Sequence, residues 1–260
     1  MFLKYYFFFN FGLNQNCLKS ISAMNKFYYR SAFLGFLTLL IFTQYNTVSA
    51  QAAYQVKTTF DNYRTSKISS GEFKGGLSIA DIYGNPYLES DFINGTIFTI
   101  QKIQYVDIPI RYNKYSDVFE FKTEDGIYEL GVPSDVEKIE FKGMVFHYIP
   151  YLSDKKLKNG YFQEIESGNA TLYARYRVIF KKMEPASITQ TSKPDRFEEV
   201  PVEYYMKVKN NEAIPFNTKK DLIGLFPDNQ DKVEDFISKN KIKLNKPESL
   251  SELVKYYNSL

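Results

Sequence analysis

The chain has 260 residues, 44% of them hydrophobic, with 23 Phe, 22 Tyr and no Trp, which is material for one sizeable domain or two small ones. Its 33 Lys and Arg exceed its 30 Asp and Glu only because Lys4, Lys19, Lys26 and Arg30 lie in an acid-free first fifty residues; beyond them 29 bases face 30 acids. Phosphate contacts supply most nucleic-acid affinity and leave a basic footprint, so that class is excluded, and the lone Cys17 excludes an internal disulfide.

Residues 1–23 fit no export design and read as an upstream mis-start, with Met24 as initiator. From there Lys26 and Arg30 form a positive n-region. Ala32 to Phe42 is an uncharged, mostly apolar run of eleven residues, and Val48-Ser49-Ala50 has the small-x-small pattern of a signal-peptidase site. The run falls short of the ~20 residues that span a bilayer. Residues 24–50 are therefore predicted to be a signal peptide cleaved between Ala50 and Gln51, leaving a mature chain with no thiol and no transmembrane segment. A cysteine-free exported chain suits a bacterial envelope. Cys17 follows Asn14-Gln15-Asn16, which is too polar for a lipoprotein signal.

Residues 51–85 are polar and poorly periodic, and read as an extended lead-in with one strand near Tyr54–Phe60. Residues 86–215 are predicted to be an antiparallel β body. Its strands fall at Ile97–Ile100, Tyr105–Arg111, Val118–Lys122, Ile127–Leu130, Val136–Phe141, Met144–Tyr151, Tyr161–Ile165, Leu172–Lys181 and Val202–Val208, all rich in β-branched and aromatic residues. Strict alternation puts Val106, Ile108 and Ile110 on one face. Glu124-Asp125-Gly126, Lys142-Gly143, Ser167-Gly168-Asn169 and Asn210-Asn211 supply turns, and the Pro-bearing stretch 184–199 reads as a loop. Such short connections imply a meander, since parallel crossovers need a dozen or more residues.

Residues 216–260 are predicted to be helical. Thr218 and Asp221 resemble a capping box, Pro227 stops that helix, and Asp228 can cap the next, through Asn240. Pro247 opens a third, with Leu250, Leu253, Val254 and Tyr257 at helical spacing. The fold class is thus α+β, mainly an antiparallel meander with two or three short C-terminal helices.

Two stretches carry a resemblance. One runs from Gly84-Asn85-Pro86-Tyr87-Leu88 through Gly95-Thr96 to Pro109-Ile110-Arg111-Tyr112-Asn113, Tyr115, Asp117 and Glu120-Phe121. The other comprises Lys219-Lys220-Asp221-Leu222, Phe226-Pro227-Asp228 and Tyr256-Tyr257-Asn258. Together they resemble a group of secreted, uncharacterised envelope proteins of the Bacteroidetes. The resemblance implies export and a β-rich body with a helical tail, and brings no catalytic residues.

Candidate chemistry is sparse. His147 is the only histidine and shares a strand face with Val145 and Ile149; catalysis would need a nucleophile or carboxylate beside it. Glu89 with Asp91, Glu137 with Glu140, and Glu198 with Glu199 are the carboxylate pairs a hydrolase could use. Asp228-Asn229-Gln230-Asp231 lacks the alternating acids and glycine of a calcium loop. Nucleophile-elbow, phosphate-loop and dinucleotide motifs are absent, so no cofactor is expected. Asn94 and Asn169 open glycosylation sequons that read as turns in a bacterial envelope. The last helix carries an apolar stripe with Leu253, Tyr256 and Tyr257, which either docks a partner or covers the protein's own sheet. The expectation is an exported, non-catalytic module that binds an envelope protein or glycan. A carboxylate-dependent hydrolase of envelope polymers and an apolar-ligand carrier are the alternatives.

Overall fold

Period-two alternation of buried and outward residues runs through the body from Ile93 onward, as half-buried strands require. The computed structural model describes residues 64–67, 72–73, 77–131, 133–186 and 191–260. The predicted signal peptide, its Ala50–Gln51 cleavage site and the strand expected near Tyr54–Phe60 lie outside the described residues. Three short strands occupy the segment read as a lead-in: β1 (Arg64–Lys67), β2 (Glu72–Phe73) and β3 (Leu77–Ser78). Then come β4 (Ile93–Thr99), β5 (Gln104–Asn113), β6 (Val118–Thr123), β7 (Gly126–Leu130), β8 (Val136–Phe141), β9 (Met144–Ser153), β10 (Lys156–Glu166) and β11 (Ala170–Arg175). The rest are β12 (Val178–Lys181), β13 (Arg196–Glu199), β14 (Glu203–Val208), β15 (Ile214–Pro215) and helices α1 (Lys219–Gly224), α2 (Gln230–Lys239) and α3 (Pro247–Asn258).

Among the described residues eleven strands form one sheet, in the order β1-β7-β6-β5-β4-β8-β9-β10-β11-β14-β15. Its pairs are antiparallel, and the body meanders outward on both sides of β4. The architecture is α+β, mainly antiparallel sheet with three short C-terminal helices. Two expectations need correction. The strand read at Leu172–Lys181 breaks at Tyr176-Arg177, so that β11 stays in the main sheet while β12 leaves it. The polar stretch 184–199 is also not all loop, because its last four residues form β13 and pair with β12. Arg196, Glu198 and Glu199 make β13 look like loop in composition, yet Phe197 packs with Val178 and Ile82 behind it.

A bulge in β5 corrects a third. Gly95 pairs with Ile108 but Ile97 with Tyr105, so β5 carries one more residue than β4 over this stretch. Asp107 takes the positive φ of 56° that accommodates it. The extra residue reverses the alternation: Tyr105 and Ile110 are both buried, while Val106 is 54% exposed. The Lys142-Gly143 turn behaves as expected, with Phe141 opposite Met144 and both turn residues at positive φ, as a two-residue hairpin of matching twist needs.

The β9–β10 hairpin separates two aromatic interiors. On one face Phe146, Tyr148 and Tyr161 join Tyr112, Phe119 and Phe141, with neighbouring rings 5.0–6.5 Å apart. On the other, Tyr151 and Phe162 meet Tyr173, Tyr205 and Ala213. Here the sheet curls until Ala213 bonds the free edge of β9, through Ala213 N to Pro150 O at 3.2 Å and Leu152 N to Ala213 O at 3.0 Å. Edge-to-face contacts between rings fill such a curve without voids.

The three helices cover the outer face of β11 and β14. The capping box of α1 forms as predicted: the Thr218 hydroxyl accepts from Asp221 N and the Asp221 carboxylate accepts from Thr218 N. Asp228 does not cap α2. Asn229 holds that position, and the Asp228 carboxylate instead pairs with Lys209. Leu222, Val233, Ile237, Leu250, Leu253 and Val254 pack on Leu172, Met206 and Val208 in one aliphatic core. Asn258 ties the far end of α3 to the β10–β11 turn, accepting from Ala170 N at 2.7 Å and donating to the Ala170 and Ser167 carbonyls.

Candidate functional site

The acids singled out in the sequence are dispersed, and all but Asp91 are paired with a base. Glu137 and Glu140 lie on β8, Glu137 at a register shift against β4, and they pair with different bases, Lys102 at 2.8 Å and Lys138 at 2.7 Å. Glu198 and Glu199 are adjacent on β13 and also diverge, Glu198 to Arg196 at 2.6 Å and Glu199 to Lys114. Glu89 is held by Lys142, and Asp91 is exposed. Hydrogen bonding from Lys102 holds the Glu137 carboxyl below its ordinary range, the wrong direction for a general acid.

His147 keeps the face predicted for it, with Val145 and Ile149. Its Nδ1 lies 3.0 Å from the Glu137 carbonyl and its Nε2 3.2 Å from Glu164. The bond from His147 lowers the Glu164 carboxyl from its usual range. The Tyr173 ring stands edge-on, 6.2 Å from the imidazole, and burial followed by the Glu164 charge pushes the Tyr173 hydroxyl up to about 12. A neutral phenol and a bonded carboxylate orient His147; they offer no activated nucleophile. Among the described residues no group of three or more His, Cys, Asp or Glu side chains is placed to hold a metal ion.

The residues named for partner docking are occupied within the chain. Leu253 and Tyr257 are buried in the aliphatic core, and Tyr256 stacks on Phe236 with centroids 4.2 Å apart and planes at 12°. The stripe on α3 covers the protein's own sheet.

Sequence reasoning missed two charged nodes. Asp117, in the β5–β6 turn, reaches across to the edge of β10 that β11 leaves uncovered. It accepts from Tyr112 Oη at 2.6 Å and Tyr161 N at 3.2 Å, and pairs with Arg175 at 3.2 Å. Gly160 makes the approach possible, since a Cβ there would meet the Asp117 carboxylate at 2.6 Å. A lone glycine inside a strand was the available signal, because it marks a site of close approach. Burial, then the Asp117 charge, drives the Tyr112 and Tyr161 hydroxyls far above their ordinary range. In the second node, Arg111 lies over the Tyr87 ring at 3.7 Å, pairs with buried Glu120 at 2.7 Å and donates to Tyr87 Oη at 2.8 Å. Asn113 completes it by donating to Glu120 at 2.9 Å. Both nodes are enclosed, hydrogen-bonded staples.

A groove of about 560 Å³ opens beside the start of β14. Val202, Tyr204, Tyr205, Pro215 and Phe216 supply its apolar walls, and Ser153, Asp154, Glu203, Asn217 and Asn245 its polar ones. β15 pairs only with Tyr205 and Met206, so it leaves Glu203 and Tyr204 uncovered on that side. Rings, prolines and amides around an uncovered strand end can stack on and hydrogen-bond a ligand. No protein-family model matches the chain, and no curated protein and no solved structure shows significant similarity to it.

Proposed function

We propose that the chain is an exported, non-catalytic binding module of a bacterial envelope, with the groove beside β14 as its recognition surface for a glycan or a protein segment. One observation carries the reading: five of the six candidate catalytic acids are each held by a base of their own chain, while Val202, Asn217 and Asn245 stand exposed on the groove. The leader at residues 24–50 and the resemblance to secreted Bacteroidetes proteins support the envelope address. The curled interiors are filled with rings in mutual contact, which disfavours the carrier alternative.

The test uses residues 51–260 with isolated cell-wall glycan and with cross-linked envelope protein. Val202→Asp, Asn217→Ala and Asn245→Ala combined are expected to lower retention on one of them by about tenfold, as for loss of a central contact. Retention unchanged by these substitutions, or release of new reducing ends from the glycan, would sink the reading. Deleting residues from Phe216 onward is no substitute, because it strips the cover from Leu172 and Met206.

A further inference from the structure

A second surface adjoins the groove, whose wall includes Ser153 and Asp154 at the foot of the β9–β10 turn. β4 and β9 run the same way, since each is antiparallel to β8 between them, so the turns that follow them lie at one end of the sheet. The turn after β4 exposes Ile100 at 54% and Ile103 at 43%, and the start of β10, just past the turn after β9, exposes Leu157 at 60%. These are fixed positions. Ile100 N bonds Asp135 O at 3.0 Å, Thr99 N bonds Ile103 O at 3.0 Å, and Lys102, at φ 65°, is tied to Glu137.

The β9–β10 turn also projects. Ile139 pairs with Phe146, so β8 begins level with Ile149 and the last four residues of β9 run past it. Pairing of β10 with β11 begins only at Gln163. The tip reads Lys155-Lys156-Leu157-Lys158, all exposed. Asp154 lies 4.0 Å from Lys158, and Lys155 and Lys156 have no ion pair among the described residues. Glu124 and Asp125, on a third turn at this end, are engaged by their own chain, Asp125 by Thr123 and Tyr128.

We infer that this end of the sheet docks on an anionic lipid bilayer, with Leu157, Ile100 and Ile103 entering the headgroup layer and the lysines of the β9–β10 tip contacting lipid phosphates. Apolar side chains on rigid turns with unpaired cations beside them complement such a surface on both counts. An apolar protein partner would account for the isoleucines and leave Lys155 and Lys156 unexplained.

The test is co-sedimentation of residues 51–260 with phosphatidylcholine vesicles, with and without phosphatidylglycerol. Binding is expected only to the anionic vesicles and to weaken with salt. Lys155→Asn, Lys156→Gln and Lys158→Gln together should weaken it about a hundredfold, near fivefold per lysine; Asn suits position 155, whose φ is 61°. Leu157→Ser should weaken it about tenfold, while Lys232→Gln on α2 leaves it unchanged. Equal binding to neutral vesicles, no binding to either, or binding to soluble polygalacturonate that ignores Leu157→Ser would overturn the inference. These substitutions leave Val202, Asn217 and Asn245 of the groove intact, so failure here is distinguishable from failure of the groove variants. Circular dichroism of each variant confirms the fold.

Discussion

The two faces of β11 and β14 are packed by different means. One presents Leu172, Met206 and Val208 to three helices, and the contact is aliphatic and dry. The other presents Tyr173, Tyr205 and Arg175 to Tyr151 and Phe162, with a guanidinium lying 4.5 Å over the Tyr151 ring. The helix side is assembled from segments that carry their own pattern, because an amphipathic stripe announces a face to be covered. The ring side depends on residues far apart in the chain, such as Asp117 and Arg175, that meet only after the sheet has curled. A flat sheet would need no such staple, whereas a tightly curved one must satisfy the backbone groups that its neighbours no longer reach.

The largest effects should come from emptying either side. Phe162→Ala is expected to cost about 4 kcal/mol and Leu253→Ala about 3 kcal/mol in denaturant unfolding. If the two packings are independent, the double variant is additive to within about 0.5 kcal/mol. A larger coupling would break the comparison, since it would mean that the faces communicate through the strands. Next is the staple. Asp117→Asn keeps the shape but removes the charge facing Arg175, and should cost about 2 kcal/mol. Unchanged stability would show that the curl holds without it.

The smallest effect has the opposite sign. The Tyr161 hydroxyl is buried with no hydrogen-bond partner among the described residues, so Tyr161→Phe should raise stability by about 1 kcal/mol. Its native pKa lies above the unfolded value of about 10. The neutral phenol therefore contributes fully below pH about 10, and that contribution is lost as pH rises beyond it. The variant should accordingly unfold less readily in alkali. Greater alkaline sensitivity would mean the hydroxyl has a role the geometry does not reveal.

Much of this was legible in residues and some was not. Val136–Phe141 and the Lys142-Gly143 turn follow from alternation and turn chemistry, which act over a few residues. The capping box at Thr218 and the stripe on α3 are equally local. Val106 was misplaced because a bulge inserts one residue without altering composition, and β13 because its outward side is all charge. Asp228 looked like a cap, but a lysine across the chain competes for it. Of the sites, the groove and the exposed turns could not be read, since each joins segments that only the meander brings to one place.

The seam between the β5–β6 turn and β10 is closed by one carboxylate rather than by a ladder of backbone bonds. A ladder yields only when several bonds let go together; this seam yields when a single side chain changes rotamer. Its breathing therefore belongs to the fast regime of side-chain motion, while the strands on either side open only with the slower loss of the sheet. Among the buried amides of β10, solvent deuterium should enter first at Tyr161, ahead of Phe162 and the residues that follow it.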